Sequence, residues 1–142
     1  MNQDIVNSAR SWIGTPYLHQ ASVKGVGCDC LGLLRGVWRE VIGPEPELVP
    51  AYTPDWAEPQ ADELLHAAAQ RHMQETTDEL RPGQILLFRM RSGAVAKHIG
   101  IISQAASDAR FIHAYTGHGV IESPLSAPWH RRIAARFQIS QG

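Results

Sequence analysis

The chain is short of cysteine, of net charge and of long apolar runs, and each shortage removes a class of protein. Two cysteines occur in 142 residues, Cys28 and Cys30, with one residue between them. A disulfide across that gap would close a very small, strained ring, so no disulfide framework holds this fold. The formal net charge is -1, which leaves no basic field for nucleic acid and no polybasic segment for an anionic membrane. No stretch approaches the roughly 18 apolar residues of a membrane span, and Met1 to Asn7 has neither the basic nor the apolar part of a signal peptide. The expectation is synthesis in the cytoplasm without a signal peptide, with any export by another route. Repeats and low-complexity tracts are also missing, apart from one proline-rich connector. With 44% hydrophobic residues, the length suits one domain over 1–142 with its own core.

What is present centres on Gly27-Cys28-Asp29-Cys30-Leu31-Gly32-Leu33-Leu34. From Cys30 onward, Leu31, Leu34, Val37, Trp38 and Val41 recur at helical spacing, and Gly43-Pro44 ends the pattern. Asp29 is a good N-cap residue, which makes Cys30 the first residue of the helix. A thiol there lies in the positive end of the helix dipole, and the expectation is a pKa below the ordinary value of about 8.5. Cys28 reads as a small buried hydrophobe.

Asp4 to Ile13 forms a short amphipathic helix, with Ile5, Val6, Ala9, Trp12 and Ile13 on one face, stopped by Gly14-Thr15-Pro16. Pro16 to Gly27 lacks periodicity and reads as a loop. Pro44, Pro46, Pro50, Pro54 and Pro59 mark a connector or lid. A helical pattern returns from Pro59 to about Gln74. After Arg81-Pro82-Gly83 the period changes, and strands are expected over Gln84 to Met90, Lys97 to Ser103, Arg110 to Tyr115, Val120 to Ser123 and Ile133 to Ile139. Helices followed by a run of closely connected strands define an α+β fold with an antiparallel sheet.

A cysteine nucleophile needs a base within hydrogen-bond reach and a third group that orients the base. Two strand histidines, His98 and His113, offer both. A tight turn centred on Ala105-Ala106 would set His98 directly opposite His113 on one face. A slip of one residue would separate them. His118 and His130 remain alternative polar partners in place of His113. A zinc site built from Cys28, Cys30, His98 and His113 is disfavoured, because one residue between the cysteines is tighter than the usual ligand spacing. His19, His66 and His72 read as solvated or structural, Trp12 and Trp38 as core, and Asp29 as a cap in preference to an acid.

The ordered set Gly14-Thr15-Pro16-Tyr17, Asp29-Cys30-Leu31-Gly32-Leu33, Pro82-Gly83-Gln84-Ile85-Leu86-Leu87-Phe88, His98-Ile99-Gly100-Ile101 and Phe111-Ile112-His113-Ala114 resembles the NlpC/P60 family of papain-like cysteine peptidases, in its phage-associated branch. The resemblance runs from about Ser8 to Phe137. It implies a papain-like fold, with N-terminal helices, one carrying the nucleophile at its start, packed on a five- to six-stranded antiparallel sheet. It implies Cys30 as nucleophile, His98 as general base and acid, His113 as the orienting residue, and Tyr17 beside the nucleophile as an oxyanion or substrate contact. No metal or organic cofactor is needed. The implied substrate is the γ-D-glutamyl to diamino-acid bond of peptidoglycan stem peptides, cut at the bacterial cell wall by a phage or prophage tail component, with phage tail proteins as further partners. An N-acyl amidase or transferase of the same fold, or a tail assembly or wall-binding module without activity, are the rival readings. Leu31 stands where the family usually has serine, and Leu18-His19-Gln20 replaces its usual glycine pair, so both places bear on substrate choice.

Overall fold

The computed structural model describes residues 1–47, 63–91 and 93–139. Helix α1 (Asn2–Ser11) buries Ile5, Val6 and Ala9, and Trp12 just beyond it is 1% exposed. Helix α2 (Cys30–Val41) starts where the capping argument put it and buries Leu31, Leu33, Leu34 and Val37. The two helices approach closely because residue 36 is glycine. A Cβ there would lie 2.0 Å from the Trp12 ring, so the indole can lie across α2 only above a bare Cα.

Between them the segment expected as a plain loop folds into a hairpin, β1 (Ser22–Val23) with β2 (Gly27–Cys28). Two-residue strands are too short to leave a period in the sequence. Helix α3 (Leu64–His72) is the described part of the helix expected from Pro59 to about Gln74. Pro59 and most of the proline-rich connector lie outside the described residues. The C-terminal end of that expectation is corrected, since Gln74 already belongs to β3 (Gln74–Glu75).

The remaining strands are β4 (Ile85–Arg89), β5 (Ala96–Gln104), β6 (Arg110–Tyr115), β7 (Gly119–Pro124) and β8 (Ile133–Gln138). They form one six-stranded sheet in the order β3-β8-β4-β5-β6-β7, antiparallel throughout. A short helix, α4 (Ala127–Arg131), with proline in its first turn, precedes β8 and was not visible as a pattern. Ile85, Leu87, Ile99, Ile101, Ile112 and Phe137 pack with α1 and α2 in the main core. Leu86, Phe88, Ile102 and Phe111 form a second cluster on the other face, against Trp129 of α4. Burial on both faces explains why these strands read as continuous apolar runs instead of alternating ones.

The register between β5 and β6 differs from the expected one. Ile101 lies opposite Ile112 and Ile102 opposite Phe111, with a bulge before Gln104 pairs with Arg110. The connection is a 3-10 turn (Ala106–Asp108) in place of a two-residue turn. Extending this register sets His98 opposite Tyr115, not His113. The shift is two residues, and strand side chains alternate with a period of two, so both imidazoles still share one face as diagonal neighbours.

Candidate active site

The start of α2 is fixed by one carboxylate. The Gly32 N–H donates to Asp29 Oδ1 at 2.8 Å and the Gln20 N–H donates to Oδ2 at 2.7 Å. Asp29 therefore caps the helix and ties down the loop that precedes it. The loop backbone also lies directly on the first turn, since a Cβ on Gly32 would come within 1.8 Å of the Ala21 carbonyl oxygen. Held this way, the Cys30 thiol points at the beginning of β5 and donates to the Lys97 carbonyl oxygen at 3.7 Å. The next residue is His98.

Cys30 and His98 line one cleft, together with Tyr17, His19, Lys97 and Tyr115. It opens at the end of the sheet where β5 begins and β6 finishes. On its inner side His98 Nε2 is 2.8 Å from His113 Nδ1, with the two rings nearly perpendicular at 79°. His113 Nε2 is in turn 2.9 Å from the Ser123 hydroxyl. Trp129 covers both rings, its centroid 5.7 Å from that of His98 and 5.1 Å from that of His113.

The three candidate residues are nearly dry, with Cys30 8%, His98 7% and His113 0% exposed. Burial, and secondarily the adjacent Asp29 carboxylate, push the Cys30 thiol up to about 12. Burial, and secondarily the neighbouring His113, lower His98 to about 3. Burial, and then His118, lower His113 to about 4. This overturns the expectation of a depressed thiol pKa. A helix N-terminus is worth about 0.3–1 kcal/mol to a nearby charge, less than one pKa unit at about 1.4 kcal/mol, and it does not offset full desolvation beside a carboxylate. The resting pair is a neutral thiol and a neutral imidazole.

Tyr17 forms an isolated bridge with Cys28, which sets its ring in the cleft wall, and its hydroxyl is hydrogen-bonded to the Thr116 side chain. Burial raises its pKa. Cys28 is wholly buried and both cysteines are free. His118 stacks on Tyr115 at 8° between ring planes, and His130 is exposed at the end of α4, so His113 is the one that meets His98. Among the described residues, no group of three or more His, Cys, Asp or Glu is arranged to hold a metal ion. His19, expected to be solvated or structural, lies in the cleft wall with Nδ1 3.6 Å from Asp29 Oδ2. Ser123 and Trp129 were missed altogether. Ser123 was hidden because its role depends on a diagonal across two strands, and Trp129 because α4 is too short to show a period.

A thiol at a helix start and a strand imidazole thus line one cleft over an antiparallel sheet, a candidate nucleophile with a candidate base. The chain belongs to the NlpC/P60 family, whose sequence model matches residues 14–137. It is 30% identical over 129 residues to the murein DD-endopeptidase MepS/murein LD-carboxypeptidase of Escherichia coli K12, covering 90% of this chain and 57% of that protein. It is also 30% identical over 116 residues to the probable endopeptidase NlpC of the same strain, covering 82% of this chain and 63% of the relative. The chain thus spans about three fifths of the curated relatives it matches. The fold is similar to that of the NlpC/p60 domain of peptidoglycan hydrolase SagA, with a TM-score of 0.60, 22% identity and 99% of each chain covered. It is also similar to a lipoprotein-like NLP/P60 family protein of Staphylococcus aureus, with a TM-score of 0.62, 20% identity, and 99% of this chain and 42% of that one covered.

Proposed function

We propose that this chain, as one NlpC/P60 domain over 1–142, is a cysteine endopeptidase that hydrolyses an amide bond in peptidoglycan stem peptides. The observation that carries the reading is His98, hydrogen-bonded through Nε2 to His113 and lining the same cleft as the Cys30 thiol. With Nε2 engaged, Nδ1 of His98 is the atom available to the thiol. His98 takes the thiol proton as Sγ bonds to the substrate carbonyl carbon, forming a tetrahedral oxyanion. The Cys30 backbone N–H and the Tyr17 hydroxyl stabilise that oxygen, each such donor being worth about 3 kcal/mol of barrier. His98 then protonates the leaving amine as the C–N bond breaks. In the second half it removes a proton from water, which attacks the thioester and returns the thiol. Because the resting pair is neutral, the proton passes to His98 as Sγ attacks the carbonyl carbon.

The bond proposed is γ-D-glutamyl to diamino acid, on the resemblance of the motif set. MepS is named a DD-endopeptidase and LD-carboxypeptidase, so those bonds are the second reading. The test is mass analysis of stem-peptide fragments incubated with wild type and with Cys30→Ala. Wild type should cut before the diamino acid and Cys30→Ala should be at least a thousandfold slower. Equal turnover by both proteins rejects the assignment, and a cut elsewhere selects the rival bond or an amidase. We place the protein in a phage or prophage tail acting at the cell wall. Its presence in purified phage particles by mass spectrometry tests that placement.

A further inference from the structure

We propose that Ser123 is a positioning residue for the cysteine site, setting the proton on His113 and through it the tautomer of His98. The inference rests on the proposed peptidase reading for its activity test, and on ring geometry alone for its second test.

A neutral imidazole carries one N–H. For His98 to accept the thiol proton at Nδ1, its own proton must be on Nε2, donated to His113 Nδ1 at 2.8 Å. His113 Nδ1 must then be a bare acceptor, and its proton must be on Nε2. That N–H faces the Ser123 hydroxyl at 2.9 Å. His113 is 0% exposed and is packed against Phe111, Tyr115 and Trp129, so the Ser123 hydroxyl is the side-chain group that meets its Nε2. When His98 is protonated during the reaction, both its ring nitrogens carry protons, and His113 Nδ1 has to accept. The Ser123 oxygen is then the acceptor that keeps the His113 proton on the far side of the ring.

The sheet builds this line. Ser123 lies opposite Phe111 in the β6–β7 register, two residues along from His113 and on the same face. His98 is the corresponding diagonal neighbour from β5. The three side chains step across three adjacent strands, from the thiol end of the cleft to the outer strand β7.

The variant Ser123→Ala leaves a buried N–H without a partner in the tautomer that catalysis needs, and lets the His113 proton move to Nδ1. The expected loss in kcat is about tenfold to a hundredfold, the scale for removing an outer partner of a working histidine, with KM unchanged within about twofold. Ser123→Thr keeps the hydroxyl and should keep activity within about threefold. The second readout is the ring nitrogen NMR spectrum of His113 in the substrate-free protein, which should report Nε2–H in wild type and Ser123→Thr and lose it in Ser123→Ala. An unchanged tautomer in Ser123→Ala, or an unchanged kcat, overturns the inference. If wild type itself fails to cleave stem peptide, the peptidase reading falls, and the His113 spectrum still decides the role of Ser123.

Discussion

Unfolding returns His98 and His113 to water, where their ordinary pKa of 6.5 is restored from about 3 and about 4. Between those values the unfolded chain binds protons that the folded chain does not, so stability is full above about pH 6.5 and falls as the pH drops toward 4. Each histidine contributes a slope of up to about 1.4 kcal/mol per pH unit. The Cys30 thiol has the opposite sense. Its pKa is raised to about 12 from an ordinary 9.0, so stability is full below pH 9 and falls as the pH rises beyond it. Denaturant melts across the pH range should therefore show a plateau between about pH 6.5 and 9. Burial also raises Cys28 to about 12, so Cys30→Ser should reduce the alkaline slope without abolishing it; His98→Gln should reduce the acid slope, and a wild-type profile with no acid slope would contradict neutral buried histidines. Asp29→Asn has a separate signature. It removes the carboxylate that helps hold the thiol protonated, so alkylation of Cys30 by iodoacetamide at neutral pH should be faster than in wild type.

At the scale of elements, α2 is held by contacts that tolerate no added atoms. Gly36→Ala sets a methyl group 2.0 Å from the Trp12 ring, and should cost about 1–3 kcal/mol by overpacking, read as a lower denaturation midpoint at unchanged slope. Asp29→Ala removes the cap and the tie to Gln20, with an expected loss of about 1–2 kcal/mol from the cap alone. Melts within 0.5 kcal/mol of wild type would show that these contacts do not hold the helix. The start of α2 was legible because capping chemistry is local, and Asp29 and Cys30 are adjacent in sequence. All five expected strands begin within one residue of their positions because apolar runs and turn residues mark them locally. The β5–β6 register was not legible, since a bulge near Gln104 and a 3-10 turn absorb residues in ways no period records. The face shared by His98 and His113 survived only because the error was even. Thiol acidity failed for a related reason: dipole position can be read from sequence, but depth of burial depends on strands far along the chain.

Across the whole molecule, the sheet separates two kinds of surroundings. One face meets α1 and α2 in the main core, and the other carries the histidines under α4. The cleft lies at the sheet end, where a residue from the helical layer can meet one from the opposite face. Trp129 supports that meeting from a helix of only 5 residues. Trp129→Ala should admit water to the imidazoles, moving His98 and His113 back up toward 6.5 and shifting the acid limb of any pH-rate profile upward. Trp129→Phe should stay near wild type. An acid limb that does not move in Trp129→Ala would mean that burial by the indole is not what keeps the pair neutral.

The two thiols, one residue apart, live in opposite surroundings: Cys28 is sealed at 0% exposure and Cys30 borders the cleft at 8%. Cleavage after Lys24 and Arg35 releases both on a single peptide, so the molecule carries its own internal standard for footprinting. The ratio of label on Cys30 to label on Cys28 reports opening of the cleft mouth alone, free of sample concentration or reagent age, and a ratio falling toward one marks the moment the whole fold gives way.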